Sequence, residues 1–117
     1  PLLALQLAFI TRGASARTLA TTAWACAVLH IVHQPLLGAL AVAARSNLHL
    51  LKHQDLANIA WACVTLRLAE APLLAALAAE FLRRPEPAEA SHVANLLWAV
   101  AKSHVPDAHL HHALVHR

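Results

Sequence analysis

Methionine and tyrosine are absent from this 117-residue chain, while glycine, cysteine and phenylalanine each occur only twice. So few glycines cannot build a phosphate-cradling loop, and the shortage of strand-favouring aromatics argues against a β-sandwich or barrel. Two cysteines are too few for the disulfide framework of a small secreted domain, so Cys26 and Cys63 read as small buried hydrophobes. Charge is scarce as well. Only 13% of residues are Asp, Glu, Lys or Arg, against roughly a quarter in soluble globular domains. With no methionine and a proline at position 1, the sequence reads as a processed chain or an excerpt of a longer one.

What remains is apolar. Hydrophobic residues make up 59% of the chain and mean hydropathy is +0.53, far from the composition of a disordered segment. Alanine and leucine dominate, which points to an all-helical chain. The net charge of +3 is compatible with a polyanionic partner without identifying one. Residues 18–44 contain no Lys, Arg, Asp or Glu, long enough on paper to span a bilayer. His30, His33, Gln34 and Pro35 interrupt that stretch, so it reads as a helical hairpin and no membrane span is expected.

An internal repeat sets the architecture. Trp24, Trp61 and Trp98 are separated by 37 and 37 residues, within the segments TLATTAWACAVL, DLANIAWACVTL and HVANLLWAVAKS. Cys26 and Cys63 keep the same interval, which makes them equivalent positions rather than a disulfide pair. PLLGALA from Pro35 and PLLAALA from Pro72 keep it too. A period of this size with recurring small and aromatic positions predicts stacked helical units. Each unit reads as two antiparallel helices, the first over about 16–31, 54–68 and 89–104. The second opens at Pro35, at Pro72 and in the third copy at Pro106, since proline suits a first helical turn. The division is residues 1–14 as the second helix of a preceding repeat plus linker, 15–51 as repeat 1, 52–88 as repeat 2, and 89–117 as an incomplete repeat 3. Pro85 and Pro87 stop a helix between the last two.

On the helical wheel, Leu56, Ala60, Trp61 and Val64 form one apolar arc, while Gln54, Asn58, Ala62 and Thr65 fall on another side. Ala57, Ala60 and Ala62 allow close helix approach. Trp61 is expected to fill the space they leave, so that its replacement by Ala costs about 3–5 kcal/mol.

The segments LANIAWACVTL (56–66) and VANLLWAVAKS (93–103), with the more divergent LATTAWACAVL (19–29), resemble the helical repeats of organellar RNA-processing proteins. These are the heptatricopeptide and octotricopeptide proteins and their FAST-kinase-like and RAP-domain relatives. The 37-residue period suits the heptatricopeptide branch. The resemblance covers essentially the whole chain. It implies a right-handed α-solenoid, RNA as ligand, and a mitochondrial or plastid address. Thr21 stands where the other copies carry Asn58 and Asn95, and no RAP domain is present in these residues.

Three groups of candidate site residues follow. Arg17 and Thr21, Gln54 and Asn58, then Ser91, Asn95 and Lys102 form a ladder along successive first helices. Amides and hydroxyls there can bond base edges, and Arg or Lys can neutralise phosphates; bonding to a neighbouring backbone is the alternative use of both asparagines. A second, basic group at the turns comprises Arg45, Lys52, His53, Arg83 and Arg84, suited to phosphates and also to helix C-termini. No aromatic interleaves with these residues, which argues against base stacking. Third, His109, His112 and His116 share a helical face without the Cys or HExxH companions of a zinc site, so no metal is expected. No nucleophile elbow, Walker loop, dinucleotide-binding glycine pattern or paired carboxylates occur, so neither an enzyme nor a cofactor is expected. The reading is an RNA-binding scaffold of an organellar ribonucleoprotein, with rRNA of a mitochondrial ribosome and neighbouring proteins as partners. The alternatives are an RNA-processing or stability factor and a protein-interaction solenoid.

Overall fold

The computed structural model describes residues 15–67 and 71–103 of the chain. They form five α-helices and, among the described residues, no strand: α1 (Ala16–Leu29), α2 (Gln34–Ser46), α3 (His53–Thr65), α4 (Ala71–Arg83) and α5 (Ala90–Ser103), with a short 3-10 turn at Leu48–Leu50. The N-terminal PLLALQLAFI, Pro106 and the face of His109, His112 and His116 lie outside the described residues. No described helix is long and apolar enough to cross a membrane.

Helix starts follow the local chemistry. Ser15 accepts the Thr18 N–H at 3.1 Å to open α1, and 37 residues later Asp55 accepts the Lys52 N–H at 3.1 Å at the equivalent turn. His33 caps α2 through Nδ1, which accepts from the Leu36 N–H at 3.2 Å. Each leaves fewer orphan amides in the first turn. The first helices end earlier than their apolar run suggests. α1 stops at Leu29 because His30 adopts a left-handed conformation (φ 54°), closed by the Ile31 N–H on the Cys26 carbonyl at 2.9 Å. Arg67, 37 residues on, repeats that conformation (φ 57°) just after α3. Both positions are of the kind glycine fills more cheaply.

The helices pack in two layers. α3 lies between α1 and α5 and packs on both, while α2 packs on α1, and α4 on α3. Eight of the thirteen α3 residues are buried, among them Ala57, Ala60 and Ala62, whereas α5, with a described neighbour on one side, buries Leu96, Ala99 and Val100. Ala20 and Ala27 are covered, but their equivalents Ala94 and Ala101 are exposed. The side of α1 that carries Ala20 and Ala27 is thus the one that meets α3. In the second layer, Leu36, Leu37, Leu40 and Ala41 are buried, and so are their counterparts Leu73, Leu74, Leu77 and Ala78. Phe81 is completely enclosed.

The tryptophans are not the core residues that their apolar surroundings suggest. Trp24 is 46% exposed, Trp98 41% exposed and Trp61 half-buried against the core edge. The physical reason lies in the alanines. Helices joined through Ala20, Ala57, Ala60 and Ala62 approach closely enough to leave no void of indole size. The bulk of the interior comes instead from leucines and Phe81.

Candidate RNA-binding groove

Arg17, Thr21 and Trp24 stand at i, i+4 and i+7 on α1, hence on one face. Together with Gln54 and Asn58 of α3 they line an open groove of about 350 Å³. The first two rungs of the sequence ladder are therefore brought together across the α1–α3 seam. Arg17 Nη1 donates to Asp55 Oδ1 at 3.0 Å, yet the Arg17 side chain is 56% exposed. One guanidinium donor ties α1 to α3, and the others remain turned to solvent. Asn58 is half-buried and its amide makes no hydrogen bond to another described residue. Exposed Asn95 makes none either, so neither asparagine braces a neighbouring backbone among the described residues. Ser91, Asn95 and Lys102 are all exposed on α5, continuing the same register.

Trp24 is the groove residue that the sequence reading assigned elsewhere. The signal was present: 17, 21, 24 and 54, 58, 61 and 91, 95, 98 are one pattern with an indole as its third member. The apolar arc drawn through Trp61 put the indoles inside.

The basic group at the turns is largely engaged within the protein. Buried Glu80 accepts two hydrogen bonds from Arg83 Nη2, at 2.8 and 2.7 Å, and lies 3.5 Å from Arg84 Nε. The Glu80 carboxylate, by hydrogen bond and charge, holds the Arg83 pKa above its ordinary value. Arg84 also donates to the Leu48 carbonyl at 2.9 Å, pinning the 3-10 turn to the end of α4. His53 is buried: its Nε2 lies 3.1 Å from the Phe81 carbonyl, and its ring meets the Phe81 ring edge-on at 4.4 Å. It also lines part of the second groove, described next. Lys52 and Arg45 are exposed.

A second groove of about 490 Å³ is lined by Lys52, Gln54, Arg84, Glu86, Glu89 and His92 among others. Gln54 borders both grooves, so they adjoin. The second mixes acid with base, with His92 Nε2 3.9 Å from Glu89, and is the poorer match for a phosphate chain. Inside the core, the apolar cavity between Leu19, Leu37, Leu40 and Leu73 measures about 20 Å³, room for no more than a water-sized group. No cluster of His, Cys, Asp and Glu able to hold a metal occurs among the described residues.

Comparison with known protein families, with curated protein sequences and with solved structures finds no match for this chain. The groove is therefore read from its own chemistry.

Proposed function

We propose that this chain is a non-catalytic RNA-binding scaffold, part of a right-handed α-solenoid of antiparallel hairpins that repeats every 37 residues. The single observation that carries the reading is the groove between α1 and α3, where Arg17, Thr21, Gln54 and Asn58 converge beside an exposed indole. Amide and hydroxyl groups with no hydrogen-bond partner among the described residues can bond base edges, and a half-exposed guanidinium can meet phosphate. Recurrent burial at 37-residue intervals in both helix layers supports the stacking on which such a ladder depends. By its resemblance to the organellar repeat proteins, the setting is a ribonucleoprotein such as the mitochondrial ribosome, with rRNA as ligand; a plastid, or a role in RNA processing or stability, is the alternative.

The test is a salt titration of binding to single-stranded RNA. Affinity falls with salt on a log–log slope of about −0.7 per phosphate contacted, and Asn58→Ala weakens binding without lowering the melting temperature. Binding that ignores salt, or an Asn58→Ala variant that loses only stability, refutes the proposal.

One observation favours a protein-interaction solenoid instead. Val28, Leu29, Ile31 and Val32, at and just beyond the end of α1, are 42–66% exposed. Contiguous exposed apolar residues often mark a protein contact, and a partner held there would bind with little dependence on salt.

A further inference from the structure

An indole placed among polar groups on an open surface calls for a ligand that is flat, apolar on its faces and polar at its edge. Trp24 is 46% exposed, although its neighbours on the buried side of α1, Ala20, Ala23 and Ala27, are covered. The groove it borders measures about 350 Å³, near the lower end of the roughly 300–1,000 Å³ of small-molecule sites. That suits one nucleotide, not a folded helix of RNA. Thr21 precedes the indole by nearly one turn on the same face, and Asn58 and Gln54 face it across the seam. A base lying on the ring therefore has hydroxyl and amide groups around its rim, and Arg17, with donors to spare beyond Asp55, lies at the other end of the same face.

We infer that Trp24 is a stacking platform for one unpaired base of single-stranded RNA, with Asn58 and Thr21 at the base edge and Arg17 at the adjoining phosphate. This rests on the RNA-binding reading and sharpens it. The ligand is single-stranded at this point, because a base within a duplex has both faces covered by its stacked neighbours and its edge taken by its partner. Stacking on an aromatic ring tolerates any base, so sequence preference at this position comes from the rim groups of Thr21, Gln54 and Asn58.

The experiment compares the unmodified chain with Trp24→Ala, Trp24→Phe and, as a control on the other layer, Val42→Ala. Each is titrated with a short fluorescein-labelled oligouridylate, and an iodouridine version is photo-crosslinked and mapped by peptide mass spectrometry. The expected result is a loss of about tenfold in affinity for Trp24→Ala, within about threefold of normal for Trp24→Phe, and no change for Val42→Ala. Melting temperatures stay level, and the crosslink falls on Trp24. If RNA binds but Trp24→Ala leaves affinity unchanged and the crosslink maps elsewhere, stacking at Trp24 is refuted and the RNA-binding reading stands. If Trp24→Ala melts several degrees lower with an affinity loss that Trp24→Phe shares equally, the indole is a packing residue and the inference fails. If no variant or parent binds the oligouridylate, the RNA reading itself falls.

Discussion

Arg17 and Asp55, 38 residues apart, are joined by a 3.0 Å hydrogen bond between a mostly exposed guanidinium and a carboxylate only 4% exposed. The other oxygen of Asp55 accepts the Lys52 N–H. One buried carboxylate thus starts α3 and fastens α1 to it. Asp55→Ala should lower stability by about 1–3 kcal/mol, through the lost cap and the lost inter-helix bond. Arg17→Ala should cost about 1 kcal/mol, less than Asp55→Ala because the cap survives, with the loss arising from the partner taken from a buried carboxylate. Urea unfolding of the two variants measures the difference, and equal losses would contradict it.

The aromatic residues separate in the same way. Phe81→Ala removes an enclosed ring and should cost about 3–5 kcal/mol. Trp24→Ala removes a half-exposed ring from a groove and should cost less than about 1 kcal/mol. Thermal denaturation ranks them; a Trp24→Ala loss as large as that of Phe81→Ala would place the indole back in the core.

Gly38 lies inside α2, at the position where α4 carries Ala75, and a Cβ built there meets nothing within 4 Å. Gly38→Ala should therefore stabilise the protein by about 0.5–1 kcal/mol, since the unfolded chain loses freedom and the helix gains a better former. A rise in the urea midpoint at constant slope is the expected reading.

Burial pushes the Cys26 thiol pKa up. A raised folded-state pKa means that the associated stability is whole below the unfolded thiol value, about 8.5, and declines as pH climbs through the folded value. The chain should lose stability from about pH 8.5 upward, and Cys26→Ala should flatten that decline. Native Cys26 should also alkylate slowly at neutral pH and rapidly once unfolded, a contrast that mass-resolved iodoacetamide labelling reads directly.

The helical class, the interval of 37 and the openings at Pro35 and Pro72 were legible because proline, tryptophan and cysteine punctuate the chain at one spacing. So was the pairing of Thr21 with Asn58 across a seam, since repeated helices align equivalent faces. Two things were not. The indoles read as core because hydrophobicity ranks tryptophan with leucine, while the closeness of alanine-lined helices that expels them is a three-dimensional property. Arg83 and Arg84 read as free cations because Glu80 is one helical turn away with the apolar Phe81 and Leu82 between. The wheel places the acid beside both arginines, but only packing reveals that it is buried and holds both of them by charge.

His30 and Arg67 each follow an indole by six positions, and both take the same left-handed backbone. An imidazole and a guanidinium share no local preference that would produce it. The left-handed corner therefore belongs to the place in the chain and not to the residue that fills it, and α1 and α3 are each followed by it whatever side chain stands there.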